Sequence, residues 1–215
     1  MKTTHFWLIR HGETEWNAVR RLQGWLDIPL SNRGVEQAER LARFLRSGSF
    51  EHTMDAIVSS DLSRAYDTAV RATQHMGLLI ERHPSLRERS YGIYEGEDWN
   101  LLNGRDPERP HVNFRDLHQP VEGGESLAVF AQRIQNAFEN LARKHPNQNL
   151  MVFAHGGVID IAWRRTNNVP FDMPRPSPIV NTSINQFLIT DDGQWREVSW
   201  GQTLHLEDDA LDDVM

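Results

Sequence analysis

Three short segments of this 215-residue chain carry residue types that hold and attack a phosphate-like anion. They are Arg10-His11-Gly12, Ser59 to Arg64, and His155-Gly156-Gly157. Brought together, two histidines, two arginines and several backbone N–H groups make an anion pocket. Glycine-rich turns and helix N-termini offer N–H donors and the positive end of a dipole. Arginine adds planar, bidentate donors. A histidine in such a pocket is a nucleophile if it stays neutral and its other ring nitrogen is tied down. Glu88, just after Leu86, is placed to supply a proton to a leaving oxygen. Phosphoryl transfer asks mainly for positioning and charge stabilisation, so this set suffices without a metal. Taken singly, Arg10, Arg64 or His155 reads as an ordinary residue at a strand end; the weight lies in their convergence.

That convergence is set by the elements. Thr3 to Ile9 is an apolar strand ending at Arg10-His11-Gly12. Ser31 to Ser47 reads as a helix, with Val35, Ala38, Leu41, Ala42 and Leu45 on one face, Ser31 as N-cap and Gly48 as stop. Asp55 to Ser59 is a short strand, after which Asp61 is expected to cap a helix running to about Met76. Leu78 to Glu81 is a weaker strand. Leu127, Phe130, Ile134, Phe138 and Leu141 mark a long amphipathic helix. Leu150 to Ala154 is an apolar strand followed by His155-Gly156-Gly157 and a further helix. Ile184 to Ile189 and Trp195 to Trp200 flank Asp191-Asp192-Gly193, a hairpin signal. Strands alternating with helices predict an α/β fold: a mostly parallel sheet with an antiparallel edge strand and helices on both faces. Ligands bind such sheets beyond the carboxyl ends of the strands, where the three polar segments lie. Periodicity fails from Arg89 to Gly124. The expected organisation is one domain over 1–200, with 89–124 as a lid segment and 201–215 as an acidic, solvated tail.

Composition removes other function classes. The absence of cysteine excludes a disulfide scaffold, a thiolate metal site and a cysteine nucleophile. No HExxH occurs, and His111 and His118 lack a clear third ligand, so no zinc site is expected. Net charge is −7, of which Glu207 to Met215 contribute five acids and no base. The remainder, −7 + 5 = −2, has no basic excess for nucleic acid. No apolar run is longer than that of Leu150 to Ala154, far too short to span a membrane. No secretory signal fits the first residues, which predicts a cytoplasmic protein. The sequence is silent on oligomeric state.

Read together, the polar segments carry more. Leu8-Ile9-Arg10-His11-Gly12-Glu13-Thr14-Glu15-Trp16-Asn17 closely resembles the signature of the histidine phosphatase superfamily, the phosphoglycerate mutase-like proteins. The resemblance continues through Gln23-Gly24-Trp25-Leu26-Asp27-Ile28-Pro29-Leu30-Ser31 and Ser59-Ser60-Asp61-Leu62-Ser63-Arg64-Ala65. It recurs at Leu86-Arg87-Glu88 with Gly92 and Glu95-Gly96, at Gly123-Gly124-Glu125-Ser126, and at Ala154-His155-Gly156-Gly157, in family order over about residues 5–185. The resemblance implies an α/β sandwich in which His11 becomes phosphohistidine. It implies that Arg10, Arg64 and His155 hold the phosphoryl oxygens, helped by Asn17 and the Gly156 N–H, with Gln23 and Gly24 bordering the pocket. It makes Glu88 the general acid and then the base that activates water.

The family divides by the fate of the phosphohistidine: phosphatases give it to water, and mutases return it to a phosphoglycerate and need a bisphosphate primer. Ser90 to Val121 holds three Arg and six acids, a poor cover for a doubly phosphorylated ligand. The expectation is therefore a phosphomonoester hydrolase acting on a small phosphorylated metabolite, with no cofactor. The alternatives are a cofactor-dependent phosphoglycerate mutase and a non-catalytic phospho-ligand binding module, the latter disfavoured because binding alone does not require Glu88. Trp99, Leu101, Leu102 and Phe114 are candidates for a leaving-group pocket or for packing within the lid.

Overall fold

Strand β1 (Thr3–Arg10) alternates its side chains between two apolar layers, and the rest of the sheet is arranged around it. The computed structural model describes residues 2–99, 112–175 and 177–206. Among these, β2 (Ala56–Ser59), β3 (Ile80–Arg82), β4 (Asn149–Ala154), β5 (Ile184–Thr190) and β6 (Trp195–Gln202) join β1 in one sheet of order β3-β2-β4-β1-β5-β6. The pairs β2–β3, β2–β4 and β1–β4 are parallel; β5 runs antiparallel to both β1 and β6. The expected architecture holds, with the antiparallel part at the β6 edge.

Helices α2 (Asn32–Arg46) and α3 (Ser63–Thr73) cover one face, where Leu41, Leu45, Ala69 and Ala72 meet Trp7, Ile9, Ile57, Met151 and Phe153. Helices α4 (Leu127–Lys144) and α5 (Gly156–Asn167) cover the other, where Phe130, Ile134, Phe138 and Ile159 meet Phe6, Leu8, Val152 and Phe187. A single turn, α1 (Glu15–Ala18), follows β1. The period-2 alternation of β1 and the 3.6-residue stripes of α2 and α4 meet as sequence periodicity requires.

Several local expectations shift. Ser31 caps α2 as expected, accepting the Gly34 N–H at 3.1 Å. Asp61 does not cap α3. Asp27, from a distant loop, accepts the Ser63 N–H at 2.7 Å, while Asp61 takes a bidentate grip from Arg87. A charged fork outcompetes one backbone N–H for the carboxylate. Strand β3 begins at Ile80, leaving Leu79 fully in solvent at 95% exposure. Strand β6 runs through Gln202, and His205 packs against Phe44, so ordered chain extends past the boundary expected at 200. The acidic residues 207–215 lie outside the described residues, as do Leu101, Leu102 and His111 of the segment 89–124. In that segment Tyr91, Phe114 and Val121 pack with Leu22 and Val112 into a small satellite core.

Phe138 ties α4 to the sheet, with its ring 5.3 Å from Phe6, 5.2 Å from Phe187 and 5.8 Å from Trp195. Phe138→Ala should cost about 3–5 kcal/mol of stability, read as a lower urea midpoint. A change under 1 kcal/mol would mean that this layer is not the main core.

Candidate active site

Sheet register makes the site. In the parallel pairs Arg10 lies opposite Ala154 and Ser59 opposite Phe153. One residue later the chains still hold each other, His11 N–H to Ala154 O and Ser60 N–H to Phe153 O, both at 2.9 Å. His11, Ser60 and His155 therefore emerge together at the carboxyl end of the sheet. The rings of His11 and His155 stand 5.2 Å apart at 59°.

The His11 Nδ1 lies 2.7 Å from the Gly12 carbonyl, which only accepts, so Nδ1 carries the proton and Nε2 keeps its lone pair. His155 Nε2 is 2.8 Å from the Ser60 hydroxyl, and its Nδ1 is buried without a hydrogen-bond partner. Burial, then Arg64 and Arg10, push the His11 pKa well below the ordinary 6.5. Burial, Arg64, His11 and Arg10 do the same to His155. Both imidazoles are neutral at pH 7.

The two arginines are held by carbonyl groups. Arg10 Nη1 donates to Ile179 O, and Arg64 donates to Gly24 O at 2.8 Å and Leu26 O at 2.9 Å. Arg64 thus fixes the loop that carries Gln23 and Gly24, and Asp27 of that loop caps the helix on which Arg64 sits. Thr14 connects the rest: its N–H donates to Asn17 Oδ1 at 3.0 Å, and its hydroxyl reaches Gln23 Oε1 at 3.0 Å. The Gly12 turn rests on α2 so closely that a Cβ at Gly12 would fall 2.5 Å from Gly34 O.

Glu88 approaches from the mouth of the irregular segment. One carboxylate oxygen accepts the Gly157 N–H at 2.9 Å and the other the Arg89 N–H at 2.8 Å. Gly157 lies in the first turn of α5, whose N-terminus opens at Gly156, so the carboxylate sits at the positive end of a helix dipole. A cleft is lined by His11, Arg64 and Glu88 along with Gln23 and Gly24. Arg10, Asn17, His155 and Gly156 are buried and do not line it.

The cleft also shows residues that sequence reasoning passed over: Arg20, Arg21, Leu22 and Tyr91, beside the expected Trp99. Segment 20–22 pairs with 96–99 through Leu22 N–H to Glu97 O, Gly96 N–H to Leu22 O and Trp99 N–H to Arg20 O. Phe114 packs instead beneath Trp99 and Tyr91. Ser60 and Gly157 stood inside quoted motifs without an assigned role. Asn181, whose side chain donates to His11 O at 2.9 Å, carried no signal in the sequence.

Known proteins resemble this chain in both sequence and fold. The sequence profile of the histidine phosphatase superfamily (branch 1) matches residues 6–203. Phosphoglycerate mutase-like protein 4 of Arabidopsis thaliana is 36% identical over 94% of this chain and 86% of that protein. Metal-independent phosphoserine phosphatase of the same plant is 35% identical over 95% and 84%. The crystal structure of phosphoserine phosphatase from Entamoeba histolytica, in complex with 3-phosphoglyceric acid, superposes with a TM-score of 0.79 at 28% identity, covering 95% of this chain and 100% of that one.

Two outcomes test the geometry. A Cβ at residue 157 would lie 2.2 Å from Glu88 Oε1, so Gly157→Ala must displace the carboxylate. Turnover of alkyl phosphates should drop on the order of 10²-fold; unchanged turnover would mean that Glu88 does not work from this position. The second concerns stability. His11 and His155 titrate near 6.5 when unfolded and well below it when folded. As pH falls below 6.5 the unfolded chain takes up protons first. Stability that is complete above 6.5 is then lost at about 1.4 kcal/mol per pH unit for each histidine, until its folded value is reached. Urea midpoints at pH 7.5 and 5.5 should therefore diverge more in the wild type than in His155→Gln.

Proposed function

The chain belongs to the histidine phosphatase superfamily, and on that premise we propose that it hydrolyses a small phosphomonoester through a phosphohistidine on His11. The observation that carries this reading is the His11 ring itself. It is neutral, its Nδ1 is tied to its own turn, and its Nε2 is left as nucleophile beside two buried guanidinium groups.

The chemistry runs in two halves. His11 Nε2 attacks phosphorus, the bond to the leaving oxygen breaks, and Glu88 delivers a proton to that oxygen. Water then attacks the phosphohistidine, Glu88 takes a proton from it, and phosphate departs with His11 restored. Arg10, Arg64 and His155 stabilise the charge on the transferred group, with Asn17, Gln23, Gly24 and the Gly156 N–H around it. Each well-placed donor in a water-poor pocket contributes about 3–4 kcal/mol to the transition state. Neither half needs a resident cofactor or metal. Names of relatives point to both branches of the family, mutase-like and phosphatase. The acidic balance of Ser90 to Val121 favours hydrolysis, since a bisphosphate is poorly retained against it.

Purified protein offered a panel of phosphomonoesters should release inorganic phosphate without a bisphosphate primer, be inhibited by orthovanadate and be indifferent to EDTA. Quenching during turnover should trap an acid-labile, alkali-stable phosphoryl adduct that His11→Ala abolishes together with turnover. Primer-dependent isomerisation of phosphoglycerate faster than phosphate release would overturn the hydrolase reading and leave the role of His11 standing.

A further inference from the structure

Arg133 lies on α4 and does not line the cleft. A guanidinium has five N–H donors, and in Arg133 they make five hydrogen bonds. Nε and Nη2 grip the Glu125 carboxylate at 2.7 and 2.6 Å. Nη1 donates to Ser85 O at 2.9 Å and Arg87 O at 3.0 Å, and Nη2 to Glu88 O at 3.1 Å. These carbonyl groups belong to the irregular chain just before and at Glu88. The far side of Glu88 is held by the same pair: Glu125 Oε2 accepts the Ser90 N–H at 3.0 Å, and Glu125 O accepts Arg89 Nε at 2.9 Å. A third tie comes from the phosphate-side loop, where Trp25 Nε1 donates to Glu88 O at 2.8 Å. The Trp25 ring centroid lies 5.9 Å from the Arg133 guanidinium and 5.1 Å from that of Arg87.

A proton donor works only within about 2.6–3.2 Å of the atom it serves. Glu88 stands on no strand or helix, so its carboxylate position is inherited from this backbone. We propose that Arg133, fixed by Glu125, is the positioning residue for Glu88 and thereby for proton delivery to the leaving oxygen. The inference rests on Glu88 being the proton donor. Lysine cannot replace Arg133, because an ammonium on a flexible stem cannot grip Glu125 with a planar fork and reach three carbonyl groups at once.

The test compares p-nitrophenyl phosphate, whose leaving oxygen needs little protonation, with β-glycerophosphate, whose alkoxide does, for wild type, Glu88→Gln, Arg133→Lys and Glu125→Gln. Arg133→Lys should lower kcat for β-glycerophosphate at least tenfold and for p-nitrophenyl phosphate less than threefold, with KM little changed for either. Glu125→Gln should show the same selectivity at smaller size, and it decides the matter if Arg133→Lys does not fold. Equal losses on both esters, or no loss, would overturn the inference, since a merely structural role slows both alike. If Glu88→Gln is itself unselective, the proton-donor reading fails and this inference with it. If Glu88→Gln is selective and the Arg133 and Glu125 variants are not, the positioning inference alone fails.

Discussion

The structure depends on burying two guanidinium groups beside two imidazoles at one end of a sheet. Arg10 and His155 are fully buried, Arg64 is 1% exposed and His11 3%. Removing cations from water is strongly unfavourable unless their donors are satisfied. The chain offers main-chain carbonyl groups at Gly24, Leu26 and Ile179, which accept from the terminal nitrogens and orient each fork. Burial first, and then the same charges, keep both histidines neutral, so the features that make the cluster costly to bury also keep the nucleophile reactive. An incoming phosphoryl group then meets donors that need no reorganisation.

Holding that cluster constrains the packing around it. The His11 turn must lie flat against α2, and an added Cβ at Gly34 would sit 2.0 Å from Glu13 O. Gln37 and Ser31 of the same helix region take the Glu13 N–H and Glu13 oxygens. The first turn of α3 is capped by Asp27 from the loop that Arg64 of that helix grips, so loop and helix hold each other. Bonds that cross between elements in this way make the site a property of the whole sheet end and not of any one loop.

This explains what was legible in the sequence. Strand ends are marked by where apolar runs stop, and Arg10-His11-Gly12 and His155-Gly156-Gly157 stop them abruptly; β1 and β4 and their catalytic candidates could be read within a residue or two. The amphipathic stripe of α4 was equally plain. Partners chosen across long sequence separations were not. Asp61 looked like a cap by local position, yet its carboxylate belongs to Arg87, and the true cap lies 36 residues upstream of Ser63. Arg133 carried no signal in the sequence, because its five acceptor atoms belong to Ser85, Arg87, Glu88 and Glu125, which no local pattern links to it. Glycine at 157 gave no hint that its missing Cβ makes room for Glu88.

The two halves of the site rest on different kinds of support. The phosphoryl half is built on strand ends, where register fixes it. The wall facing the leaving group is built on the ladder of 20–22 with 96–99, and there Arg20 adopts φ +55. A non-glycine residue in that region carries strain on the order of 1–3 kcal/mol. Here it is held by its N–H to Asn17 O and its carbonyl to Trp99 N–H. Loops tolerate replacement in a way that sheet register does not. The cleft wall to which Arg20, Arg21, Tyr91 and Trp99 contribute is therefore the part of the site most open to change around the cluster at His11.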